Sequence, residues 1–291
     1  RMNKTTQLKQ MLLERKALAC PGVYDALSAR MAEACGFRAV QISGFGFSAS
    51  SLGMTDASFT SLEEIVHVTA NVVRAVSIPV MTDADTGYGN AVNAWWTTRR
   101  LEETGAAGMN IEDQCLPKRC GHMDGKQLIS LEEMVGKVRA AVDARRDPDF
   151  VINARTDACA VYGIDEAIRR ANAYLEAGAD MIFLESPTSL EDLKRGLREI
   201  RGPVSINMLE EGKTPRLTFD ELAELGAARV SCPMFASLVT AYALKEGFIY
   251  LKEHGTSVGY ERHTPFPDFK TFTDTDLVRA MEKKYISDLV K

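Results

Sequence analysis

Four times along this chain a helix-forming stretch closes on a glycine and passes straight into a short apolar run, at residues 34–43, 104–112, 177–185 and 225–233. Glycine enters the left-handed conformation that ends a helix at little steric cost, so Gly36, Gly105, Gly178 and Gly226 each read as a helix stop followed by a strand. Further apolar runs at residues 17–21, 79–83, 150–155 and 203–207 bring the strands to eight, each followed by a helical pattern. Such alternation calls for a parallel sheet with helices outside it. Eight units in roughly 250 residues is the size of a (β/α)8 TIM barrel, an α/β fold. A doubly wound open sheet competes with it, but no Gly-x-Gly-x-x-Gly follows the first strand.

Helix starts are marked as well. Ser61, Ser130 and Ser189 each stand before a leucine and two acidic residues, the pattern of a capped helix N-terminus, and the first of these stretches runs to about Val76. Nothing resembles a linker before Gly255. The expected division is therefore a catalytic barrel over residues 1–255 and a helical tail over 256–291, with a proline-broken aromatic segment at 263–269 and a last helix from Asp274 to Val290. So apolar a tail packs on the barrel or on a neighbouring subunit. Trp95 and Trp96 are expected on the outside of the barrel or at a subunit contact.

Composition excludes several classes of function. A net charge of −5 with no basic stripe argues against a nucleic-acid partner. No apolar stretch approaches the ~18 residues needed to cross a bilayer, and residues 1–4 carry no signal-peptide core. Six scattered cysteines without Cys-x-x-Cys spacing, among only four histidines, show no zinc pattern and fit a reducing cytoplasm.

The chemistry concentrates in two places. Asp83 and Asp85, followed by Gly87 and Gly89, end the third strand, where side chains two apart point the same way. Glu112 arrives from the fourth strand, and three hard carboxylates suit Mg²⁺, or Mn²⁺ in its place. Beyond Glu112 and Asp113, a Gly-containing loop sets Cys120 among Lys118, Arg119 and His122, and neighbouring positive charge favours a thiolate. Cys120 on such a hinged loop is placed to act on a lid. In barrels of this class chemistry sits at the C-terminal ends of the strands. Those ends supply Ser43 and Gly44, Asp83 and Asp85, Glu112, Asn153 and Arg155, Glu185 and Asn207. Arg155 can pair with a carboxylate, as can Ser43 with the Gly44 backbone N–H, which points to a 2-hydroxy or 2-oxo acid. His122 either handles protons or shapes the loop, Glu185 either meets substrate or partners Arg155 or Lys118, and Tyr24-Asp25 caps a helix.

Together these residues resemble the phosphoenolpyruvate mutase/isocitrate lyase superfamily. The resemblance rests on Ser43-Gly44, Gly53 to Asp56, Asp83 to Gly89, Ile111 to Gln114, Lys118-Arg119-Cys120-Gly121-His122, Asn153 to Asp157, Leu184-Glu185 and Asn207-Met208, and covers about residues 8–250. The cysteine loop marks the carbon–carbon lyase branch, of methylisocitrate lyase and 2,3-dimethylmalate lyase type.

The resemblance implies Mg²⁺-dependent cleavage of a 2-hydroxy dicarboxylate into a 2-oxo acid and a carboxylic acid. Catalysis falls to Cys120, Arg155 and His122, substrate binding to Ser43, Gly44, Gly121, Arg155, Glu185 and Asn207, and metal binding to Asp83, Asp85 and Glu112, with Asp56 in the outer shell. It also implies a homotetramer, a dimer of dimers that swap their last helix. Three positions depart from the family pattern, the first being Gln41, which stands where an aromatic is usual two residues before Ser43. Leu238 replaces an arginine and Leu209 a hydroxyl residue, so an alkyl-substituted malate is expected rather than a tricarboxylate. The alternatives are an oxaloacetate hydrolase or decarboxylase, a phosphonate mutase or hydrolase acting on phosphonopyruvate or carboxyphosphonoenolpyruvate, and a non-catalytic metal-binding barrel.

Overall fold

A computed structural model describes residues 2–118 and 125–286. Eight parallel strands close into a barrel in sequence order. They are β1 (Leu18–Val23), β2 (Val40–Ile42), β3 (Val80–Asp83), β4 (Gly108–Glu112), β5 (Val151–Thr156), β6 (Met181–Leu184), β7 (Val204–Asn207) and β8 (Arg229–Cys232). β8 pairs back onto β1, with Leu18 opposite Arg229 and Cys20 opposite Ser231. The four glycine stops hold as expected, with φ of 90° at Gly36, 84° at Gly105, 107° at Gly178 and 84° at Gly226. Ser61 forms a full capping box with Glu64 at the head of helix Leu62–Ala75, and Ser130 and Ser189 accept from the backbone N–H three residues on.

Alternation along each strand sorts the side chains into two sets. Val40, Ile42, Met109, Ile111, Ile152, Ile182, Val204, Ile206 and Val230 point outward into one continuous core with Ile65, Val68, Val72, Met134, Val138, Ala171 and Leu193 of the surrounding helices. Each such buried aliphatic contributes about 1.5–3 kcal/mol. Leu18, Cys20, Met81, Val151 and Met181 point inward at the bottom, where Leu8, Met11 and Leu12 of the N-terminal helix Lys4–Leu13 close the barrel. Lys4 fastens that helix by donating to the Val76 carbonyl at 2.7 Å. The apolar plug sits at one end, so polar chemistry is confined to the other.

The chain divides into two compact units, one running to Ser237 and the other beginning at Leu238. The second unit contains most of helix Phe235–His254, followed by helices Phe266–Thr271 and Thr275–Tyr285. Helix Phe266–Thr271 begins inside the segment 263–269 expected to be merely proline-broken and runs past it, because Pro267 stands in its first turn, where a missing N–H costs nothing. None of the residues of helix Phe235–His254 is buried, although Tyr242, Phe248, Ile249 and Leu251 are large and apolar. Trp95 and Trp96 are exposed, as expected. No helix among the described residues is long and apolar enough to cross a membrane.

Candidate active site

The C-terminal mouth of the barrel holds a pocket whose lining includes Gln41, Asn110 and Phe183 and the apolar Phe45, Leu209, Pro233 and Met234, while Asp85, Glu112 and Asn153 lie behind it. Ser43, Gly44, Asp56, Asp83, Arg155, Glu185 and Asn207 all line it, as does Lys118. Cys120, Gly121 and His122 lie outside the described residues.

Each rim group is placed by local backbone. Ser43 follows β2 and caps helix Gly44–Leu52, its Oγ accepting from Gly46 N–H at 3.0 Å. The positive end of this helix, with its first-turn N–H groups, therefore opens onto the pocket and suits an anion. Gly44 is required for space: a Cβ there would overlap the Oδ2 atom of Asp83. Asp83 Oδ1 accepts from the Asp85 N–H at 3.0 Å and so folds the turn that carries its neighbour. Asp85 does not share a strand face with Asp83, since β3 ends at Asp83 and Asp85 sits in the left-handed region at φ 47°. Its carbonyl accepts from Glu112 N–H at 2.9 Å, which fixes the turn against β4.

Lys118 occupies the middle of this acidic group. Its ammonium lies 2.8 Å from Asp56 and 2.5 Å from Asp85. Burial works against that charge, but Asp85, Glu112, Asp83 and Asp56 outweigh it and hold the amine well above the ordinary lysine range. Burial pushes the Asp85 carboxyl up to about 7, Lys118 opposing the rise and Asp83 and Asp56 adding to it. Glu112 is likewise raised by burial, against the pull of Arg155 and Lys118.

Arg155 is gripped by acids. Its Nε and Nη2 donate to the two oxygens of Asp157 at 2.9 and 3.0 Å, Glu112 Oε2 lies at 3.2 Å, and Nη1 is 3.3 Å from Glu185. Glu185 also accepts from Asn207 Nδ2 at 3.1 Å, while Asn207 Oδ1 accepts from Ser231. Behind this row, the buried carboxylate of Asp113 accepts from Thr156 Oγ1 at 2.8 Å, Tyr174 OH at 2.8 Å and the Asp157 backbone N–H at 2.9 Å. Asp113 thus points away from the pocket and fixes the turn that carries Asp157.

Several of these roles were not read from sequence. In the sequence Lys118 reads as part of the surroundings of Cys120, and Asp113 and Asp157 carry no evident role. The available signal was spacing. Asp113 follows Glu112 and so faces the opposite way, and Asp157 stands two residues after Arg155.

Among the described residues, no three His, Cys, Asp or Glu side chains converge closely enough to chelate a metal ion directly. The donor set nevertheless fits a hard divalent cation held largely through water, since Mg²⁺ keeps several waters and takes one or two carboxylates. Glu112 Oε1 is buried without a hydrogen-bond partner among the described residues, an acceptor such a hydrated ion would satisfy.

Residues 8–250 match the family model described as phosphoenolpyruvate phosphomutase. The chain belongs to the phosphoenolpyruvate mutase/isocitrate lyase superfamily. This superfamily member is 42% identical over 285 residues to 2,3-dimethylmalate lyase of Eubacterium barkeri, covering 98% of this chain and 99% of that protein. It is similar to the crystal structure of a 2,3-dimethylmalate lyase at TM-score 0.91 and 33% identity, covering 98% and 96% of the two chains. A phosphonopyruvate hydrolase in complex with oxalate and Mg²⁺ matches at TM-score 0.89 and 30% identity, covering 98% and 99%.

Proposed function

We propose that this chain is a divalent-metal-dependent carbon–carbon lyase that cleaves an alkyl-substituted 2-hydroxy dicarboxylate of malate type into a 2-oxo acid and a carboxylic acid. The observation that carries this reading is the pocket's mixed lining: carboxylates and a helix N-terminus share it with the apolar Phe45, Leu209, Pro233 and Met234. The cations lining the pocket, Lys118 and Arg155, are already engaged by carboxylates. A third substrate carboxylate against these apolar groups would be buried without a partner, which is costly. Alkyl groups fit there instead.

A divalent ion held by Asp83, Asp85 and Glu112, with Asp56 behind them, supplies Lewis-acid stabilisation of oxyanion charge when bound. The N-terminus of helix Gly44–Leu52 takes one substrate carboxylate. Arg155, locked in place by Asp157, Glu112 and Glu185, presents fixed positive charge, and Asn207 is oriented by Glu185 and Ser231. The 2-hydroxyl proton passes to water as the carbonyl forms and the C2–C3 bond breaks, the carbanion left on C3 takes a proton from Cys120, and the thiolate regains its proton from solvent. Sequence alone assigns Cys120 and His122 to that step.

Phosphonate and oxaloacetate chemistry on the same scaffold are outcomes of the same test. Purified protein with Mg²⁺ is mixed with 2,3-dimethylmalate, methylisocitrate, oxaloacetate and phosphonopyruvate. Pyruvate and propionate should form from the dimethylmalate. Turnover of phosphonopyruvate or oxaloacetate alone refutes the lyase reading.

The apolar, unburied helix Phe235–His254 supports a homotetramer assembled as a dimer of helix-swapped dimers, and a monomer by light scattering would refute it. Five free cysteines among the described residues support a cytoplasmic, reducing setting.

A further inference from the structure

One layer below the rim, the barrel interior holds a charge that the site as described does not use. Arg229 of β8 is fully buried. Its Nε donates to Ser205 Oγ at 2.9 Å and its Nη2 reaches Asn110 Oδ1 at 3.4 Å, while the Cys20 thiol lies against it. Nη1 has no hydrogen-bond partner, and no carboxylate pairs with the guanidinium, among the described residues. Arginine keeps its proton in proteins, so this is a buried positive charge without a counter-ion. A bulky aliphatic, the usual filling of a barrel interior, would avoid that penalty.

What Arg229 touches explains its presence. Asn110 and Phe183 both line the pocket. The Asn110 oxygen that faces Arg229 also accepts from Asn153 Nδ2 at 2.7 Å. The Phe183 ring is shared by two guanidinium groups, Arg155 at 5.2 Å and Arg229 at 5.7 Å from its centroid. The ring's negative faces attract cations, so Phe183 couples the deep arginine to the one at the surface.

Resting on the reading of this pocket as one for a divalent ion and a dicarboxylate, we propose that Arg229 is an electrostatic positioning residue, a fixed positive charge under the pocket floor. It strengthens binding of the dianionic ligand and moderates the grip of the acidic group on the cation. It acts through Asn110 and Phe183 and touches neither ligand. Low effective dielectric in the interior lets one charge act over a layer of side chains.

The test measures two ligands of opposite sign by calorimetry: Mn²⁺ alone, then oxalate at saturating Mn²⁺. Arg229→Met removes the charge and should tighten Mn²⁺ and weaken oxalate by about tenfold or more each, since one unit-charge interaction across ~10 Å at an effective dielectric near 20 is worth about tenfold and both probes are doubly charged. Arg229→Lys keeps the charge and should hold both constants within about threefold. Loss of packing alone would weaken both ligands together, so parallel weakening, no change, or a lysine variant that behaves like the methionine variant overturns the proposal. If Arg229→Met does not fold, Arg229→Gln carries the same measurement. Should both neutral variants fail to fold while Arg229→Lys folds, the charge serves the fold and the proposal falls. These constants do not depend on turnover, so they stand apart from a failure of the lyase assay.

Discussion

Protonation of Asp85 should govern metal binding near neutral pH. Four carboxyls, the buried Asp56, Asp85 and Glu112 and the partly exposed Asp83, surround the Lys118 ammonium, and burial lifts Asp85 to about 7. A metal ligand must be deprotonated, so an ion entering at pH 6 has to expel a proton from a carboxyl that is about nine-tenths protonated there. Apparent affinity for Mg²⁺ or Mn²⁺ should then fall about tenfold for each pH unit below 7. The sign for stability is opposite to that of an ordinary salt-bridged acid. Because the folded carboxyl binds its proton more tightly than the unfolded one, this group destabilises the metal-free fold progressively as pH rises from about 4 to 7, by up to about 4 kcal/mol. Calorimetric titration of Mn²⁺ in two buffers of different ionisation enthalpy should show about half a proton released per ion at pH 7 and nearly one at pH 6. Asp85→Asn should abolish the release. A metal affinity that is flat from pH 5.5 to 7, with no proton released at pH 6, would refute the reasoning.

Cys120→Ser should lower lyase turnover by roughly 10²-fold or more, the scale of a missing acid–base group, while the Mn²⁺ binding constant stays unchanged. Asp113→Ala strands Tyr174, Thr156 and the buried Arg170, whose Nη1 lies 3.3 Å from the Asp113 carboxylate, and should cost about 3 kcal/mol or more in denaturant unfolding, whereas a loss under about 0.5 kcal/mol would show that this network bears no weight. Gly44→Ala drives a methyl into Asp83 Oδ2 and should weaken Mn²⁺ binding at least several-fold with little change in melting temperature. Leu209→Ala should reduce discrimination between dimethylmalate and malate by about 10-fold or more in kcat/KM, the worth of a methylene-sized contact.

The eight strands were legible because each follows a helix that must stop, and glycine makes the stop visible. The rim was legible because a closed barrel sends every strand end to one mouth, so the positions of Ser43, Glu112, Arg155 and Asn207 follow once the strands are counted. Asp85 and Lys118 were not legible in the same way. Asp85 reaches Lys118 through a left-handed turn rather than strand alternation, and Lys118 lies 62 positions from the Asp56 it binds, beyond the reach of any local pattern. Arg229 was missed for a different reason, and its signal was present. Two residues before a rim position, a strand again points inward, and five strands carry a polar residue there: Gln41 before Ser43, Asn110 before Glu112, Asn153 before Arg155, Ser205 before Asn207, and Arg229 before Ser231. Buried apolar side chains would pack such a layer at lower cost, and they do pack the bottom of the barrel, where Leu18, Val151 and Met181 meet the N-terminal helix. Polar residues that recur at that depth around the barrel are therefore explained by what lies above them. They brace a charged mouth whose groups would otherwise repel one another or rotate away, and the same two-residue step should expose the bracing layer in any barrel of this kind whose rim is known.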